Sequence, residues 1–137
     1  ERVNRKLFAV YDEIARNETR AETSGSAEPE VVVVAYGTTA RIVKSAIAMA
    51  EAKGVKAALV RPVTLWPYPS TIIAEAAAKP SAKAVLAVEM SGGQMVDDVR
   101  IAVNGAKPVH FYGRTGGMVP MPEEILDQIL TLAGGGR

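Results

Sequence analysis

The chain has no cysteine and a single histidine, His110. Without cysteine there is no disulfide, no thiolate nucleophile and no cysteine-held iron–sulfur cluster, and one histidine cannot build a multi-histidine metal site. Charge of one sign is lacking too. The 16 basic and 15 acidic residues leave a formal +1, which sets up no field for nucleic acid or an anionic membrane. No stretch reaches the roughly 18 consecutive apolar residues of a membrane span. The opening ERVNRKLF lacks the apolar centre of a secretory signal. A soluble, cytoplasmic protein is expected, with any redox chemistry belonging to a partner. At 137 residues the chain suits one domain with one core.

What is present is a regular alternation. Val3, Leu7, Val10 and Ile14 recur at the spacing of one helix face, which predicts an amphipathic helix whose apolar stripe needs a partner surface or a second copy. The segment ETRAETSGSAEPE, Glu18 to Glu30, reads as an exposed linker with no core to form. VVVVAY, Val31 to Tyr36, is apolar on both parities, as a strand buried on both faces must be. Gly37-Thr38-Thr39 then turns into a helix carrying Val43, Ala46, Ile47 and Ala50 on its apolar face, with Lys53-Gly54 as its stop.

The unit repeats. KAALV (Lys56 to Val60), AVLAVE (Ala84 to Glu89) and PVHFY (Pro108 to Tyr112) read as strands, and the segments after them predict helices at STIIAEAAAK, about Gln94 to Val103, and Glu123 to Leu132. The expected fold is therefore α/β, a mostly parallel sheet with helices on both faces. Residues 1–30 form an N-terminal helix and linker in this reading, 31–133 the domain, and 134–137 a flexible tail.

In such sheets ligands gather at the carboxyl ends of the strands. Four loops fall there. Ser91-Gly92-Gly93-Gln94 offers backbone N–H groups at a helix start, suited to an anion, or else only a positive-φ turn with Ser91 or a neighbour as the cap. Gly37, Thr38 and Thr39 can bind a ligand oxygen or cap a helix. In GRTGGMVP, Arg114 can pair a phosphate or carboxylate while Gly116 and Gly117 leave the backbone accessible. The remaining loop holds Trp66 among prolines, either an interface residue or a local cap over the core.

Other candidates are weaker. Asp97 and Asp98 are adjacent on a helix and point about 100° apart, so they complement a helix N-terminus rather than converge on a substrate atom. His110 in a strand reads as structural. Glu89, at a strand end, sits where a catalytic carboxylate would. No GxxxxGK[ST] or GxGxxG pattern occurs at the required places. On the residues alone, no catalytic set and no metal site is marked out, and a small-molecule or anion-binding module remains open.

Three motifs in order carry a resemblance: VVVVAYGTTARIVKSAIAMAEAKGVKAALVRPVTLWPYP, VEMSGGQMVDDVRIAV and VHFYGRTGGMVPMPEEIL. Together they resemble the carboxyl-terminal part of the alpha subunit of 2-oxoacid:ferredoxin oxidoreductases, in the 2-ketoisovalerate (3-methyl-2-oxobutanoate) branch. The resemblance implies a transketolase carboxyl-terminal-like domain. It implies a parent enzyme with thiamine diphosphate, magnesium and iron–sulfur clusters, making acyl-coenzyme A from a branched-chain 2-oxoacid and reducing ferredoxin. It places the thiamine diphosphate in other domains, one upstream in the alpha subunit and one in the beta subunit. The partners it implies are those upstream domains and the beta, gamma and delta-type subunits. This chain would bind no cofactor and be inactive alone, with coenzyme A approaching, if at all, along the loop edge near Arg114.

Overall fold

A computed structural model of the chain describes residues 1–134. The tail expected at 134–137 lies outside the described residues except for Gly134. No helix among the described residues is long and apolar enough to cross a membrane. The order is α1 (Arg2–Glu18), β1 (Ala21–Gly25), β2 (Val31–Val34), α2 (Gly37–Ala52), β3 (Ala57–Pro62), α3 (Ser70–Ala77), β4 (Ala84–Glu89), α4 (Met95–Val103), β5 (Val109–Gly113) and α5 (Pro122–Leu132). The five strands form one sheet in the order β1-β3-β2-β4-β5. Every neighbouring pair is parallel except β1 with β3.

The valine run occupies the centre of this sheet. Val31 and Val33 point into the layer formed with α2 and α5, through Val43, Ile47, Ile125 and Ile129. Val32 and Val34 point into the opposite layer with α3 and α4, through Ile73, Met95, Val99 and Val103. All four valines are 0% exposed, each such burial contributing about 1.5–3 kcal/mol. This double burial explains why β2 shows no alternation. The parallel sheet with helices on both faces matches expectation, down to the buried face of α2.

One segment departs from the sequence reading. The expected linker holds β1, which pairs antiparallel with β3 from Ala21 opposite Pro62 to Gly25 opposite Ala58. Its side chains are almost all exposed, so backbone pairing, helped by the Glu22–Arg61 ion pair, holds it at the edge, and no apolar pattern announces it. The α1 stripe does exist, but the helix buries no residue. Val3, Leu7, Phe8 and Val10 are exposed, and Tyr11 meets Trp66 edge to face with ring centroids 5.8 Å apart.

The amino ends of the strands are tied by one carboxylate. Glu30 accepts from Lys83 Nζ at 2.8 Å and from the Lys56 N–H at 3.3 Å, and Lys83 also donates to the Ala133 carbonyl at 2.8 Å. The Lys83 hydrogen bond first, then the Lys56 N–H, holds the Glu30 carboxyl below its ordinary value. The contribution is therefore present above the unfolded carboxylate range and disappears as pH falls through the lowered folded value. Glu30→Gln should narrow the difference in melting temperature between neutral and strongly acidic pH; an identical pH profile would remove Glu30 from this account. At the opposite edge, a Cβ on Gly113 would lie 2.4 Å from the Ser91 carbonyl oxygen. Gly113→Ala should lower stability by about 1–3 kcal/mol, read as a reduced urea midpoint.

Candidate functional site

The β2–α2 connection leads to β3 on one side of β2, whereas β4 lies on its other side. The loops after β2 and β4 therefore part at the switch in strand order, where open α/β sheets receive ligands. Three loop–helix junctions of this carboxyl edge bear on function, and each meets its exposed backbone N–H groups differently.

At the start of α4 the chain supplies its own anion. Glu89 is 2% exposed. One carboxylate oxygen accepts from the Gln94 and Met95 N–H groups and from Ser91 Oγ, all at 3.0 Å, and the other from the Val96 N–H at 2.9 Å. The Gly93 N–H donates to Ser91 Oγ at 3.2 Å. Gly93 has φ +107°, which few other residues tolerate. Of the two readings of Ser91, Gly92, Gly93 and Gln94, an anion cradle or a positive-φ turn with a capped helix, the structure has the turn, with its amides taken by an internal carboxylate. Glu89 is the cap, with Ser91 bracing it. Asp97 and Asp98 lie in the first turn of α4, Asp97 pairing with Arg100 at 2.8 Å.

Arg114 is likewise engaged. Its guanidinium pairs with Glu124 at 2.7 Å, and the second Glu124 oxygen accepts the Met121 N–H at 2.8 Å, closing the start of α5. The Met121 N–H first, then the Tyr112 hydroxyl and the Arg114 charge, hold the Glu124 carboxyl below its ordinary value. Gly116 and Gly117, at φ +65° and +78°, carry the exposed turn between them. Arg114 therefore bridges its own loop to the start of α5 through one guanidinium nitrogen.

The start of α2 has no side-chain cap. Thr39 is buried, so its hydroxyl is withdrawn from the edge, while Gly37 and Thr38 stay exposed; neither threonine caps the helix. Beside this turn a cavity of about 230 Å³ is lined by Gly37, Ala40, Arg41, Lys44 and Arg61. Arg61 pairs with Glu22 at 2.9 Å. Among the described residues Arg41 and Lys44 enter no ion pair. Sequence reading passed over these three cations. The available signal was Arg41 and Lys44 three residues apart at a helix start, with Arg61 ending the next strand.

In the switch crevice, Tyr36, Leu65, Tyr68, Gln94, Met95 and Asp98 line a cavity of about 160 Å³. The Tyr68 hydroxyl is buried there without a hydrogen-bond partner. Burial first, then the Asp98 and Glu89 charges, push its pKa well up, so it is held as the neutral phenol. Trp66 is 63% exposed. His110 lies exposed on the edge strand β5. A groove of about 400 Å³ runs between β1, β3 and α3, lined by Gly25, Ala58, Ile72 and Lys79 among others, apart from these junctions.

These features define a doubly wound α/β domain. Residues 29–125 match the pyruvate:ferredoxin oxidoreductase core domain II family, and the chain belongs to it. The ketoisovalerate oxidoreductase subunit VorB of Methanothermobacter marburgensis is 39% identical over 98% of this chain and 37% of its own length. The 2-oxoglutarate synthase subunit KorA of the same organism is 37% identical over 75% of this chain and 27% of its own length. The chain thus spans little more than a third of the curated relatives it matches. The fold is shared with 2-oxoglutarate:ferredoxin oxidoreductase from Magnetococcus marinus, solved with 2-oxoglutarate, coenzyme A and succinyl-CoA bound. That match has a TM-score of 0.72 and 21% identity, over 96% of this chain and 23% of that one. It is shared too with a split-gene transketolase, an inactive beta4 tetramer, at a TM-score of 0.69 and 20% identity over 86% and 42%.

Glu89→Ala should cost about 2–4 kcal/mol by stranding the donors at the start of α4. Denaturant unfolding reads this directly. Equal stability of the variant would mean that water replaces the carboxylate without loss.

Proposed function

We propose that the chain is a transketolase carboxyl-terminal-like domain of the alpha-type subunit of a branched-chain 2-oxoacid:ferredoxin oxidoreductase. In this reading the whole enzyme uses thiamine diphosphate and magnesium to decarboxylate the 2-oxoacid, passes electrons through iron–sulfur clusters to ferredoxin, and releases acyl-coenzyme A. The observation that carries the reading is the similarity to a ketoisovalerate oxidoreductase subunit along 98% of this chain.

The domain's own part is to dock. A 17-residue helix that buries nothing gains little stability from propensity alone, and the α1 stripe continues toward exposed Leu65 and Trp66 through the Tyr11–Trp66 contact. Neighbouring parts of the subunit, or partner subunits, would cover that surface. The residues here do not fit thiamine diphosphate, because the α4 amides that would receive a diphosphate are held by Glu89. No step of the reaction is assigned to this chain's residues.

In the complete oxidoreductase, Leu7→Asp with Trp66→Ala should reduce co-purification of the partner subunits severalfold, while circular dichroism of the 137-residue chain stays unchanged. Unaltered assembly and turnover would overturn the docking role.

A further inference from the structure

We infer that the cavity between α2 and the end of β3 binds the phosphate group of a small organic phosphate through Arg41, Lys44 and Arg61. The inference stands on the cavity's charge and shape and is independent of the oxidoreductase reading. Three cationic side chains from two elements line one space, together with only Gly37 and Ala40. Like charges three residues apart on a helix oppose each other, and Arg61 adds a third from the strand. The one carboxylate nearby, Glu22, takes a single nitrogen of Arg61, leaving the other donors of that guanidinium available.

An anion entering the cavity relieves this repulsion. Phosphate suits the donor set, because guanidinium forks grip two of its oxygens while the lysine adds a point charge. The absence of bulky side chains at Gly37 and Ala40 leaves room for those oxygens. At about 230 Å³ the space falls below the roughly 300 Å³ at which pockets for whole organic ligands begin. It therefore receives the phosphate end, with the organic part lying along the open edge. Charge is better neutralised elsewhere on this edge: Glu89 fills the α4 start and Glu124 takes Arg114.

Pyrophosphate and ADP, titrated into the full chain at low salt, provide the test. Amide shifts at Gly37, Arg41, Lys44 and Arg61 should saturate below about 10 mM, and the apparent affinity should fall as salt rises. Arg41→Gln with Lys44→Gln should weaken binding at least about tenfold, whereas Arg100→Gln on α4 leaves it unchanged. Shifts that never saturate, equal losses in both variants, or saturation by a glutamate-rich peptide but not by pyrophosphate would each overturn the inference.

Discussion

The carboxylate of Glu89 is the interaction on which the loop edge depends. It ends the interior strand β4, is buried, and gathers three backbone amides and one hydroxyl within hydrogen-bond distance. A helix start carries unsatisfied donors and partial positive charge, and a carboxylate buried beside it finds in those donors the hydrogen bonds it would otherwise lose. Each group thus removes the desolvation cost of the other. The Glu89 carbonyl in turn accepts the Arg114 N–H at 3.1 Å, linking this strand end to the next loop.

The consequence is an edge divided by charge. Where Glu89 and Glu124 sit, the backbone donors at the helix starts are taken by carboxylates. Beside α2, Arg61 pairs with Glu22, while Arg41 and Lys44 line the same cavity without an ion pair among the described residues. Between the two lies the switch crevice, with the unmatched Tyr68 hydroxyl and the exposed Trp66 and Leu65 at its rim. The family's curated relatives are more than twice the length of this chain.

The α1 helix makes the same point on another face. Its stripe at Val3, Leu7 and Val10 has the regularity of a packed helix, and yet the domain gives it nothing to pack on. Amphipathic order without burial is a local pattern awaiting a tertiary partner.

The sequence by itself determined the class of fold, because burial on both faces leaves a run such as Val31 to Val34 without alternation and burial on one leaves a stripe such as Val43, Ala46, Ile47 and Ala50. These signals are local and depend only on period. The motif order likewise carried the family. What the tertiary structure decided was which charges meet. Glycines at Ser91 to Gln94 look the same whether a phosphate or a carboxylate fills the turn, and only the position of Glu89 on β4 answers that. Arg114 looked available until the fold brought Glu124 to 2.7 Å. β1 was invisible because edge pairing uses the backbone, which every sequence shares, and the cluster of Arg41, Lys44 and Arg61 forms only when β3 is laid beside α2.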